Sequence, residues 1–153
     1  MHPERRVRLS VAGAGPSDRQ GEAPEYDYRR ETGRRFDDAV AAVEAAIAQA
    51  GFNVRVMHDI QATLAAKGFR VRPIRIYEID STPEVAASLC VGLTPCSIER
   101  LMPCRVNVFE EDERTVITAL RPTILCRVFP EDGLDSVAEE LERLLLAVVD
   151  AAA

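Results

Sequence analysis

Between Glu99 and Pro122 the chain reads ERLMPCRVNVFEEDERTVITALRP, and this stretch constrains the fold more than any other. Met102, Cys104, Val106 and Val108 alternate with Pro103, Arg105, Asn107 and Phe109. That is the period of two of a strand with one face buried. The acidic run Glu110-Glu111-Asp112-Glu113 reads as a solvated turn, and Val116 to Leu120 as the returning strand. The stretch is therefore a β-hairpin with a thiol, Cys104, near the start of its first strand.

The rest of the chain supplies the layer this hairpin needs. Tyr26 to Arg29 alternates and opens a first strand. From Gly33 the spacing changes: Phe36, Val40, Val43 and Ile47 make one stripe of a helix filled out by Ala, Asp and Glu. Gly51 ends it in the left-handed conformation. Phe52, Val54 and Val56 define a second strand, and Asp59 caps a short helix over Ile60 to Lys67, closed by Gly68. A third strand runs from about Val71 to Asp80. Ser81-Thr82-Pro83-Glu84 then starts another helix, with Ser81 and Glu84 at capping-box spacing. Cys90 to Ile98 is expected as a loop.

Pro122 to Phe129 admits two readings, a strand from the alternation of Ile124, Cys126 and Val128 or a short helix begun by Pro122. Asp135 or Ser136 caps a last helix whose Val137, Leu141, Leu144, Leu145 and Val148 form an apolar face. Residues 1 to 24, rich in Gly, Pro, Ser, Asp and Arg, read as a flexible arm before a single domain over residues 25 to 153. Helices packed on one face of a mixed or antiparallel sheet make a two-layer α+β domain. No glycine-rich phosphate loop follows any strand, which argues against a doubly wound nucleotide fold.

Composition narrows the function. A formal charge of −6, no Trp, 3 Tyr and 5 Phe disfavour a nucleic-acid surface. No apolar run approaches a membrane span, and the residues after Arg5-Arg6 lack the apolar stretch of an export signal. A cytoplasmic protein with mostly reduced thiols is expected. Cys90, Cys96, Cys104 and Cys126 form no C-x-x-C pair, and with only His2 and His58 they fit no standard zinc spacing.

Cys104 has two readings. Beside Arg105 and near the arginines of the third strand it is a reactive thiol; on the face it shares with Met102, Val106 and Val108 it is core filling. His58 reads as a sheet-edge residue or as a ligand or base needing distant partners. The Ser81-Thr82 helix start is either a cap or an anion site, with Arg70, Arg72 and Arg75 nearby in sequence. Glu78 and Asp80 share one face, as a carboxylate pair or as part of an ion-pair ladder with Arg70 and Arg72. The pairs Arg29-Arg30 and Arg34-Arg35 read as a solvated face. Leu144, Leu145, Leu146, Val148 and Val149 make the last helix apolar nearly all round, a motive for dimerisation, and Leu146→Glu or Val149→Glu is expected to lower solubility or split the dimer.

Three segments together resemble domain-of-unknown-function family 302, the TT1751-like fold: Phe36 to Leu64 (FDDAVAAVEAAIAQAGFNVRVMHDIQATL), Ile76 to Leu89 (IYEIDSTPEVAASL) and Leu101 to Phe129. The resemblance covers residues 27 to 150. It implies a small α+β domain, usually a homodimer, and a helical Pro122 to Phe129; it implies no settled activity, cofactor or substrate. Many members carry Cys-Asn-Pro before the third helix and Leu-Pro-Cys at the hairpin. Here Cys104 keeps the second thiol, while Ile79-Asp80-Ser81-Thr82-Pro83 replaces the first. The expectation is a cytoplasmic homodimeric domain, without cofactor and apart from nucleic acid and membrane, that binds a small ligand or a partner protein. Its site is placed around Ser81, Thr82, Cys96, Cys104 and Arg105. The alternative is a sulfur carrier or redox sensor centred on Cys104, with Cys96 or Cys90 as resolving thiol. No metal site is expected; Cys104 and His58 are the candidate ligands if one exists.

Overall fold

The computed structural model describes residues 25–83, 86–87, 101–128, 130 and 133–153. Five strands, β1 (Asp27–Thr32), β2 (Phe52–Asp59), β3 (Ile74–Ser81), β4 (Cys104–Glu111) and β5 (Arg114–Leu120), form one sheet in the order β1-β5-β4-β3-β2. Every neighbouring pair is antiparallel. The elongated helices are α1 (Phe36–Gln49) and α4 (Asp135–Ala152), with short α2 (Ile60–Ala65) and α3 (Thr123–Val128). This is the expected two-layer α+β fold.

Both long helices lie on one face. The register places Tyr77 opposite Val106 and Val106 opposite Ala119, so those side chains share that face with Ile79, Cys104, Val108 and Ile117. Against them pack Phe36, Val43 and Ile47 of α1 and Val137, Leu141, Leu145, Val148 and Val149 of α4, all buried. Ala39 and Ala46 of α1 and Ala138 and Ala152 of α4 are also buried. Small side chains there let the two helices approach closely, and alanine also suits the helix backbone. Tyr77 is 1% exposed, yet its hydroxyl donates to Glu44 Oε1 at 2.9 Å, which satisfies its polar end.

Several local expectations are met and others corrected. Gly51 and Gly68 take φ of 81° and 84° where helices end. Asp59 Oδ1 accepts from the Ala62 amide at 2.8 Å, the predicted cap of α2. After Ser81 the helical turn starts at Pro83, where it was expected, but its N-cap is Thr82 rather than Ser81: the Thr82 carbonyl accepts from the Ala86 amide at 2.8 Å, and Ser81 is the last residue of β3. Glu84 lies outside the described residues. The hairpin turn is tighter than the acidic run suggested. Glu110 and Glu111 belong to β4, and Asp112 and Glu113 alone make the turn, with φ of 47° and 64°. Positive φ at both central residues is what matches the turn to the twist of the strands. Residues Thr123–Val128 are helical, which decides between the two readings of that segment. Neither Asp135 nor Ser136 caps α4; the N-cap is Leu134, whose carbonyl accepts from the Ala138 amide at 2.8 Å.

Val149 is completely buried in the core and Leu146 is half-buried, so α4 uses most of its apolar surface inside the fold. No described helix is long and apolar enough to cross a membrane. The arm over residues 1–24 lies outside the described residues.

Candidate functional site

The expected site residues separate onto different surfaces, and the period of the strand decides which. Cys104 opens β4 pointing into the helix-covered core, 6% exposed, opposite Ile79. Its thiol lies 3.4 Å from the Leu101 carbonyl oxygen and 3.6 Å from Met102 Sδ. Arg105, the next residue, points to the other face, where it reaches Glu78 Oε1 at 3.3 Å. Among the described residues no arginine lies beside the Cys104 thiol. Burial, with a smaller contribution from the Asp80 charge, pushes it up to about 12. A thiol so placed holds its proton at neutral pH, the opposite of what a reactive cysteine requires. Cys126, buried in α3, is also raised, first by burial and then by Asp135 and Glu139. Cys90 and Cys96 lie outside the described residues.

Ser81 follows Ile79 on the core-facing side of β3, and the Thr82 amide donates to the Gly51 carbonyl at 2.8 Å, pinning the end of β3 to the end of α1. The start of β4 borders a cleft of about 240 Å³ lined by Leu101, Pro103, Cys104, Arg105, Leu120, Pro122 and Leu125. Of the expected set, Cys104 and Arg105 line this cleft. Its apolar members come from the hairpin segment and from α3, whose Leu125 lines the cleft with Leu101 and Leu120. The Met102–Pro103 peptide at its rim is cis.

His58 faces away from Cys104. The strand β2 is irregular between Val54 and Val56, so residues after the bulge change face relative to Phe52 and Val54. His58 Nε2 consequently lies 3.2 Å from Glu78 Oε1 on the helix-free side, and the sheet stands between it and Cys104. The two cannot ligate one ion, and the described residues hold no cluster of three metal-ligating side chains. Glu78 and Asp80 do share a face, but their partners lie across strands: Arg105 and His58 for Glu78, and Arg55 Nη1 at 3.0 Å for Asp80. Arg70 and Arg72 precede β3 and take no part in that ladder.

The face that no described helix covers has its own pattern. Ile74 pairs with Phe109 and Phe109 with Val116, and Ile76 pairs with Asn107 in the adjacent row. Val116 is fully buried there, beneath Phe109, over which the Arg29 guanidinium sits 5.8 Å from the ring centroid. Charged rows frame these residues. Arg29 pairs with Glu111 and Glu31, and Arg114 Nη1 lies 2.9 Å from Glu31 Oε2. Arg55, Glu78, Asp80 and Arg105 close the other side. Val56 on this face is 43% exposed.

The likeness to known proteins agrees with this architecture. The crystal structure of an uncharacterized conserved DUF302 protein from Bacillus stearothermophilus superposes with a TM-score of 0.72 at 23% identity, over 84% of this chain and 98% of that one. At that identity the likeness speaks for the fold alone. No curated protein matches the chain. Residues 28–152 match the family model described as domain of unknown function DUF302, and the protein belongs to that family.

Proposed function

We propose that this protein is a cytoplasmic homodimeric binding domain that holds a ligand or partner rather than converting a substrate. The observation that carries the proposal is the sheet face that no described helix covers, where Ile74, Ile76 and Phe109 form an apolar patch over the buried Val116 inside a frame of ion pairs. An apolar patch rimmed by charge is the usual form of an association surface. The occupant proposed is a second copy of the chain. Arg29, Arg55, Arg105 and Arg114 stand among Glu31, Glu78, Asp80 and Glu111, so the face is locally near balance although the whole chain carries −6. Two such faces meet without the repulsion the net charge would impose. A small ligand of this module belongs at the expected site, in the cleft beside Cys104 and Arg105, whose mainly apolar lining suits packing.

The thiol alternative, a sulfur carrier or redox sensor at Cys104, draws no support from a buried thiol that holds its proton. The test is light scattering coupled to size exclusion for wild type and Val56→Glu. The exposed Val56 sits opposite Glu78, so the variant places a carboxylate beside a carboxylate on the proposed interface without entering the core. The expected result is a dimer for wild type and a monomer with an unchanged circular dichroism spectrum for the variant. A wild-type monomer at tens of micromolar, or a variant dimer of unchanged affinity, would refute the interface.

A further inference from the structure

The six residues of α3 stand at the edge of the cleft beside Cys104, to which they give Leu125, while Pro122 just ahead of them lines the same cleft. A helix of fewer than two turns has no stability of its own and stays folded only where something holds it. Cys126 is the one buried side chain of α3; Ile124 and Leu125 are half-buried, and Arg127 and Val128 are exposed. Among the described residues no backbone hydrogen bond joins α3 to a strand or to another helix. The Ile124 and Leu125 amides bond to the Arg121 and Pro122 carbonyls just behind them, at 3.2 and 3.0 Å.

One side chain supplies the polar tether. Glu142 of α4 is 12% exposed, and its Oε2 accepts from the Thr123 amide at 3.2 Å and from the Thr123 hydroxyl. Its Oε1 accepts from Arg121 Nη1 at 3.3 Å. The carboxylate thus takes an amide that the start of α3 leaves without a helical partner, and it does so as a charged acceptor.

The chain is fixed just upstream. The Arg121 amide donates to the Tyr26 carbonyl at 2.9 Å, and Glu25 at 3.4 Å and the Tyr28 ring at 5.6 Å hold the Arg121 guanidinium on the sheet side. Pro122, which follows, has no amide to donate. Arg121 Nε is sealed from solvent without a partner, so the closed arrangement leaves a donor unmatched and its margin over an arrangement that admits water is narrowed. The closed cleft, at about 240 Å³, is also smaller than the ~300–1,000 Å³ of small-molecule sites, so a ligand of that size needs a wall to move.

We infer that α3 is a gate on the cleft beside Cys104: Glu142 latches it shut through Thr123, and it swings on Arg121 and Pro122 ahead of any opening of the core, drawing Leu125 away from Leu101 and Leu120. The gate takes its purpose from the ligand-holding reading of that cleft, but the motion is measured on the free protein, so either can fail without the other.

Cys126 is the reporter, since it is buried in α3 and becomes reachable when α3 swings out. The full chain is labelled with iodoacetamide at pH 8 across sub-denaturing urea and read by peptide mass spectrometry, each rate referred to that of the unfolded chain. Cys126 should label about tenfold or more faster than the global unfolding equilibrium allows, at a rate that urea hardly changes. Glu142→Gln and Thr123→Val should each raise that rate about fivefold or more, with amide exchange faster over residues 124–128 and unchanged in β4 and β5. Wild-type Cys126 labelling that rises with urea in step with global unfolding would overturn the gate, and this result is decisive even if Glu142→Gln fails to fold. Folded variants in which Cys126 and the α3 amides behave as in wild type would overturn the latch.

Discussion

A cysteine with a reactive role and a cysteine that fills space differ most in how fast they alkylate. At pH 8 a thiol with the ordinary value of 9.0 is about one-tenth ionised, whereas one pushed up to about 12, as Cys104 is, is ionised in roughly one molecule in ten thousand. The nucleophile is thus depleted about a thousandfold before access is considered, and Cys104 is only 6% exposed. Iodoacetamide at pH 8, quenched over a time course and read by peptide mass spectrometry, should modify Cys104 at least about a thousandfold more slowly in the folded protein than in urea. The labelling that does occur should rise with sub-denaturing urea, since it must pass through opening of the core. Cys104→Ala should cost about 1–2 kcal/mol, the loss of one buried sulfur and the small void it leaves. Folded Cys104 that labels within minutes at pH 7, as fast as an exposed thiol, would show that the burial argument is wrong and would restore the sulfur-chemistry reading.

Other outcomes follow from particular contacts. Leu145→Ala, at a fully buried position of α4, should lower stability by about 2–5 kcal/mol in urea denaturation. Val149→Glu should leave no soluble folded protein, because the charge would be buried in the core, whereas the half-buried Leu146→Glu should still fold; the melting curves of the two separate these cases. Replacing the turn Asp112-Glu113 by Asn-Gly should raise stability by about 1 kcal/mol, since both residues now hold positive φ with a side chain. Asp150 receives hydrogen bonds from the Tyr28 hydroxyl and from Arg30 Nε, each at 2.8 Å, and chiefly the Arg30 bond holds its carboxyl below the usual range. A lowered folded value means that this stabilisation is complete above the ordinary carboxylate range and is lost as pH falls through the folded value. Acidification should therefore narrow the difference in melting temperature between wild type and Asp150→Asn, a small difference because the pair is half exposed.

The layered fold was legible because it depends on spacing. Phe36, Val43 and Ile47 keep one helical face, Val106 and Val108 keep one strand face, and both patterns survive folding unchanged. What the sequence concealed was anything set by pairing. The bulge after Val54 reverses the side on which Val56 and His58 emerge, and no residue type between them announces it. Cys104 and Arg105 are a different case: as adjacent strand residues they point opposite ways, yet both border the cleft at the start of β4. A cleft at the start of α1 joins Arg34 and Arg35 to Glu110 and Glu113, some 75 residues further along the chain; only the alignment of β1 with β5, where Thr32 meets Thr115, brings the two groups to one end of the sheet.

The same bulge has a consequence for the chain in a crowded solution. The outermost strands are β1 and β2, and an unpaired strand edge is a template on which further chains can polymerise. The two edges are blunted in different ways. β1 sets Asp27, Arg29, Arg30 and Glu31 along six residues, so an incoming strand would have to desolvate a charge at most positions. β2 is less charged, with exposed Val54, Val56 and Met57, and would be the weaker guard if it were straight. Its break between Val54 and Val56 interrupts the outward row of amides and carbonyls midway, leaving no regular ladder long enough to seed a fibre.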